Sequence, residues 1–296
     1  MNVAPTKSER DIVLIIDGGG MMGIFAAGAL EVIGKKLRSR VASVYATSSG
    51  ADSGGHFISG QADIPPRFFL EYLTKPEFIR GNLFSYLYKV FVLKGKSKSI
   101  PDFINIDYFI PTAQNSDCAL DLDSFEKSPI EFFVKVLDID AIKTVYLPAK
   151  TDPEKKLMAT SQCGPFSTLA VNIDGKRYID GGTLVSDLDG ELIQQNPNMI
   201  FLYIQPAGPQ FFKKALLYPC YVLAAAALGR LYGTSIGWHY LKELFIDPTL
   251  ALRDFPNVLF IRNNFTYSSF CTNKKKLQKV YEHSILQTLK VLETLA

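Results

Sequence analysis

A serine between small residues and a run of three glycines are the first groups in this chain that could do chemistry together. Residues 46–50 read Ala-Thr-Ser-Ser-Gly, with Ala46 two positions before Ser48 and Gly50 two after it. A nucleophile raised on a sharp strand-to-helix turn needs small residues at those positions, because its backbone is held in a strained conformation with neighbours close by. Ser49, between Thr47 and Ala51, fits that demand less well. The plain alternative is that Ser48 or Ser49 caps the following helix. Upstream, Gly18-Gly19-Gly20 lets backbone N–H groups converge with no side chain in the way. The start of the next helix adds its positive dipole end. Such donors stabilise the negative oxygen that forms when an ester carbonyl is attacked.

The same loop, Gly18-Gly19-Gly20-Met21-Met22-Gly23, spells G-x-G-x-x-G, so a dinucleotide site competes with this reading. That site requires an acid about 20 residues on, at the end of the second strand, to hold a ribose hydroxyl. Here the strand ends in Tyr45-Ala46-Thr47-Ser48, without one.

A serine nucleophile needs a base. The three histidines, His56, His239 and His283, all fall in expected helices. An aspartate can serve directly if it hydrogen-bonds the hydroxyl. Of the four Asp-Gly pairs, Asp174-Gly175 reads as a hairpin turn. Asp17 precedes the glycine loop and is expected to bond nearby backbone, and Asp189-Gly190 has no assigned role. Asp180 ends the strand Arg177-Tyr178-Ile179 and is followed by Gly181 and Gly182, which leave room for another segment to approach. A turn aspartate bonded to backbone is the alternative there.

These groups depend on elements that the pattern predicts. Residues 12–16 read as a buried strand, 21–37 as a helix with Ile24, Leu30, Ile33 and Leu37 on one face, and 41–47 as a second strand. A helix follows to about Ile58, and this alternation predicts an α/β fold with a parallel sheet. Residues 65–100 read as short aromatic-rich helices and 131–148 as an antiparallel pair or meander. Short strands at 169–173 and 177–179 flank the hairpin turn, and 199–204 is another buried strand. Residues 211–245 read as mostly helical, with a buried helix over 215–228, then a last strand at 256–262 and a closing amphipathic helix at 274–295. Residues 11–296 form one expected domain.

Composition sets the outer bounds. A net charge of +3 over 296 residues is too small to argue for nucleic acid. The four cysteines are scattered, without metal-ligand spacing, so no metal is expected and the thiols read as reduced. The polar segment MNVAPTKSERD has no apolar h-region, so a secretory signal is not expected. The apolar run between Lys214 and Arg230 contains Pro219 and falls short of the roughly 20 residues a membrane span needs. A cytoplasmic protein is the resulting expectation. Phe68, Phe69, Tyr72, Phe78, Phe84, Tyr86, Tyr88 and Phe91 read as core or, alternatively, as a cap over an acyl site. In the second case Lys89, Lys94, Lys96 and Lys98 would meet anionic head groups at a membrane surface. Lys274 to Lys276 read as a solvated helix start.

Taken together, DGGGMMGIFAAGAL, YATSSGADSGGHFISGQ and IDGKRYIDGG resemble the glycine loop, serine elbow and D-G-[GA] aspartate of the patatin-like phospholipase family. The segment MATSQCGPFSTLAVNIDGKRYIDGG also resembles that family's approach to its aspartate. The bacterial branch is the nearest likeness. The resemblance implies a three-layer α/β sandwich with a mostly parallel central sheet flanked by helices. It implies a Ser-Asp dyad with Ser48 as nucleophile and Asp180 as base. The amides of Gly18, Gly19, Gly20 and Met21 take the oxyanion role, and Gly23, Ala46, Gly50, Gly181 and Gly182 complete the motifs. No metal and no organic cofactor are implied, and the expected substrates are phospholipids and other lipid esters. Two departures stand out. Ala46 replaces the first elbow glycine, and Met22 stands where the family usually has Arg or Lys. The second predicts a missing positive charge beside the loop and keeps a catalytically silent lipid-binding protein as the alternative.

Overall fold

The computed structural model describes residues 10–93, 102–167, 169–207 and 217–295. Eight strands form one sheet: β1 (Ile12–Ile16), β2 (Val41–Ala46), β3 (Glu131–Asp138), β4 (Lys143–Pro148), β5 (Val171–Ile173), β6 (Lys176–Asp180), β7 (Ile200–Gln205) and β8 (Val258–Arg262). Their order is β5-β6-β3-β2-β1-β7-β8, with β4 also paired to β3. The run β3-β2-β1-β7-β8 is parallel throughout. The pairs β3–β4, β3–β6 and β5–β6 are antiparallel. The helices are α1 (Gly23–Lys36), α2 (Ser49–Ser59), α3 (Ile64–Arg67), α4 (Leu83–Leu93), α5 (Ile106–Asn115), α6 (Leu122–Lys127), α7 (Pro153–Ser161), α8 (Leu188–Gln195), α9 (Tyr218–Tyr232), α10 (Thr234–Glu243) and α11 (Lys274–Glu293).

Strand β1 explains the layering. Successive side chains of a strand point to opposite faces, and both faces of β1 are covered, so all five of its residues are buried. Ile12, Leu14 and Ile16 pack with Ile24 and Leu30 of α1 and with Leu277 and Val280 of α11. Val13 and Ile15 pack with Ile193 of α8 and with Leu252 on the opposite face. Each such aliphatic side chain contributes roughly 1.5–3 kcal/mol by leaving water. The result is the expected mostly parallel sheet with helices on both faces.

Three readings change in detail. Helix α1 was expected to be buried along one face, but Gly23 through Leu30 are all buried. The helix is enclosed by the sheet and by neighbouring helices, so its periodicity is weak. The 211–245 region is two helices broken at Gly233, with residues 211–216 outside the described residues. Its first helix, α9, is buried along one face only: Ala224, Ala225, Ala227 and Leu228 are buried, whereas Tyr218 and Val222 are exposed. Lys89 is exposed, while Lys94, Lys96 and Lys98 lie outside the described residues. The Asp174-Gly175 turn joins β5 to β6 with positive φ at both residues, the conformation a two-residue hairpin needs.

Candidate active site

Strand β3 brings Ser48 and Asp180 together. Its first half pairs with β2, with Ala46 opposite Val134. Its second half pairs with β6, with Asp180 opposite Val136. The chain leaves β2 just after Ala46, and β6 takes over the ladder two residues further along. Ser48 and Asp180 therefore reach the same gap from opposite sides.

Ser48 has φ 53° and ψ −130°, in a region that L-residues avoid. Holding it there costs on the order of 1–3 kcal/mol. The turn is fixed by Thr47 N–H on the Ile16 carbonyl (3.0 Å), Gly50 N–H on Thr47 (2.9 Å) and Ala51 N–H on Ser48 (2.8 Å). The Ser48 N–H donates to Thr160 Oγ1 at 2.9 Å. Ser48 occupies the capping position of α2, yet its side chain makes no cap hydrogen bond, which leaves its hydroxyl available. At Gly50 a Cβ would stand 2.5 Å from the Asp17 carbonyl oxygen, so only glycine fits. Ala46 is fully buried in the core.

Asp180 is 3% exposed. Its N–H donates to the Gln162 carbonyl (3.1 Å), and its Oδ1 accepts the Gly182 N–H (2.8 Å), so it also performs the turn role weighed for it. Burial raises its carboxyl to about 6. The Gly182 N–H, hydrogen bonding with the Ser48 side chain and the Lys135 charge pull it the other way. Gly181 packs directly against the Lys135 backbone.

The glycine loop lies against the elbow, with Gly18 facing Ser48 and Gly23 facing Ser49. Its amides are not equivalent. Met21 N–H is committed to the Ser269 carbonyl at 2.8 Å, because the segment after β8 crosses the loop. Gly19 N–H donates to Ser49 Oγ at 3.2 Å. Both were expected to face an oxyanion, and both are already engaged. Among the described residues, no acceptor takes the N–H groups of Gly18, Gly20 or Ser49. Sequence reading missed Ser49, although the residue after the nucleophile is where an elbow commonly supplies such a donor. Gly20 has φ +56°, and Ser269 O would stand 2.5 Å from any Cβ there.

Met22 leaves the position where the family usually carries Lys or Arg without a positive charge. Its side chain is fully buried in the core and is turned away from the cavity.

Asp17 also differs from its reading. Its carboxylate accepts from the Tyr203 hydroxyl (2.9 Å) instead of capping backbone. The same hydroxyl lies 3.2 Å from Asp189 Oδ2, which accepts from Lys135 Nζ at 2.8 Å, and Asp189 also takes the Tyr146 hydroxyl. Lys135 and Asp189 are a buried pair. Burial raises Asp17 to about 6, with Lys135 lowering it and Asp189 raising it. The signal for this network was a lone lysine inside the apolar strand FFVKVL, together with the unassigned Asp189.

Among the described residues, none of the three histidines hydrogen-bonds Ser48. Both ring nitrogens of His56 face carbonyls, those of Asp52 and Cys118. His239 bonds the Ser235 carbonyl, and His283 packs against Phe25 and Phe265.

Ser48, Asp180 and the glycine loop open into a cavity of about 1770 Å³. That exceeds the roughly 300–1,000 Å³ of ordinary small-molecule sites. Its walls include Phe69, Leu73, Phe78, Leu87, Phe166 and Ala224. Phe69 and Phe78 are buried, so these aromatics serve the core and the cavity wall at once.

Among solved structures, the chain is similar to VipD from Legionella pneumophila, with a TM-score of 0.49 and 12% identity, over 96% of this chain and 67% of that one. Among curated proteins, it is similar to the uncharacterized protein YjjU of Escherichia coli (strain K12), 27% identical over 186 residues. That match takes in 62% of this chain and 48% of the relative, so it spans about half the length of the curated protein. A family model described as patatin-like phospholipase matches residues 14–189, which hold the glycine loop, Ser48, Asp180 and Asp189, and the chain belongs to that family.

Proposed function

We propose that this protein is a lipid acyl hydrolase of the phospholipase A or lysophospholipase type, working through a Ser48–Asp180 dyad. The family supports hydrolysis of lipid esters in general. The finer reading is carried by one observation: Ser48, strained and uncapped, stands beside a buried aspartate whose carboxyl is raised to about 6. Ser48 Oγ attacks the ester carbonyl while Asp180 takes its proton. The N–H groups of Gly18, Gly20 and Ser49 receive the oxyanion. Collapse expels the alcohol, which takes the proton back from Asp180, and leaves an acyl-serine. Water then attacks the acyl group and gives its proton to Asp180; collapse breaks the acyl–Oγ bond, Asp180 returns that proton to Ser48 Oγ, and the fatty acid leaves.

The apolar cavity wall suits an acyl chain, and an approach from a membrane surface suits a substrate held in a bilayer. Four free cysteines favour a reducing, cytoplasmic setting. No described helix is long and apolar enough to cross a membrane. The silent lipid binder rests on Met22, which leaves the loop without the charge usual in the family, and the assay below separates it from the hydrolase. The dinucleotide reading lacks its ribose acid, and the Ser269 carbonyl closes over its loop.

An esterase and phospholipase A assay of the wild type beside Ser48→Ala tests the proposal. Turnover in the wild type that vanishes in Ser48→Ala is expected. Equal turnover in both would overturn the nucleophile, and no turnover in either would favour the silent binder.

A further inference from the structure

We propose that Thr160 is a positioning residue that holds Ser48 in its strained conformation; this rests on the reading of Ser48 as nucleophile. The sheet ladder breaks where β2 ends, and the break strands two backbone groups. One is the N–H of Ser48, which has turned out of the strand. The other is the carbonyl of Lys135, which lies on β3 between the partners of Ala46 and Asp180. Buried backbone groups need partners. The Thr160 hydroxyl supplies both: it accepts from Ser48 N–H at 2.9 Å and donates to Lys135 O at 2.8 Å.

A hydroxyl has one proton, and here the Lys135 carbonyl takes it. A lone pair is thereby turned towards Ser48 N–H, so the polarity of the contact is fixed. Thr160 is fully buried and makes no bond to the Ser48 hydroxyl, so its action on the chemistry runs through the backbone alone. Two residues on, the Gln162 carbonyl takes the Asp180 N–H at 3.1 Å. One short segment at the end of α7 therefore anchors both members of the dyad. This gives a physical role to the MATSQCGPF segment that the sequence reading singled out only by resemblance.

The test compares Thr160→Val, nearly isosteric but without the hydroxyl, with Thr160→Ser, which keeps it. The readouts are kcat and KM on a soluble short-chain ester, the rate of fluorophosphonate labelling, and Tm. Thr160→Val is expected to lower kcat and labelling rate roughly 10- to 100-fold, as small misplacements of a reacting group do. KM is expected to stay within about twofold, because the cavity is untouched. Thr160→Ser is expected to recover most of the rate. If Thr160→Val does not fold, Thr160→Cys, whose sulfur is only a weak acceptor, carries the same expectation. Wild-type rates in the folded Val or Cys variant, or a serine variant as slow as the valine one, would overturn the proposal. Ser48→Ala run alongside separates the two levels. Full activity there removes the nucleophile and this proposal with it, whereas an inactive Ser48→Ala beside a fully active Thr160→Val removes only the role of Thr160.

Discussion

At the scale of single residues, the proposed dyad makes the balance of burial against hydrogen bonding at Asp180 the source of predictions for both activity and stability. A base must be ionised to accept the serine proton. With its carboxyl raised to about 6, hydrolysis is expected to rise through that pH on the acid limb of a kcat/KM profile. The stability effect has the opposite sense. An aspartate lifted above its ordinary 3.8 keeps its proton longer in the folded protein than in the unfolded chain. Stability therefore falls as pH rises between about 4 and 6, and the cost is fully present above that window. Asp180→Asn is expected to be inactive yet more stable than wild type at pH 8, by about 2–3 kcal/mol at most. Thermal melts at pH 8 and pH 4 check this, because the gain is expected to disappear at the lower pH. The Gly182 N–H keeps an acceptor in the variant, since the asparagine oxygen replaces Oδ1.

At the scale of elements, strand β3 carries most of the design, because it joins the parallel and antiparallel parts of the sheet and contributes Lys135 to the buried network. Lys135→Met is expected to destabilise by about 3–5 kcal/mol, since it leaves Asp189 buried without its cation. Lys135→Met combined with Asp189→Leu is expected to recover much of that loss. Urea denaturation of the single and double variants measures both. The sequence made the strands leading into the glycine loop and into Ser48 legible, because β1 and β2 are short apolar runs, each followed within two residues by a turn of small residues. The Ser48 turn could be read from its spacing only together with the glycine loop, since spacing alone also fits a helix cap. Asp180 could not: locally it is a turn aspartate, and only the shared register on β3 puts it across the gap from Ser48. Nor did the glycine loop reveal which of its amides are already engaged. Ser269 reaches Met21 from nearly the other end of the chain, a contact that no local pattern encodes.

At the scale of the whole molecule, the cavity joins the C-terminal ends of the parallel strands to the aromatic helices and to α9, so in the proposed hydrolase no single element would set the chain-length preference. Ala224 lies on its apolar wall. Ala224→Met is expected to leave turnover of a short-chain ester within about twofold while lowering that of a long-chain ester roughly tenfold. The estimate follows from the limited energy of one or two methylenes in a pocket. Competing the two substrates in one assay gives the ratio directly. An unchanged ratio would mean that the acyl chain lies elsewhere.

The covalent intermediate is the most direct test of the central claim. Wild-type protein, quenched at intervals during ester hydrolysis and then digested, is expected to carry the acyl group on the peptide that contains Ser48. In Asp180→Asn that adduct is expected to form far more slowly. Adduct on a different residue, or steady turnover by a protein that lacks Ser48, would contradict the account.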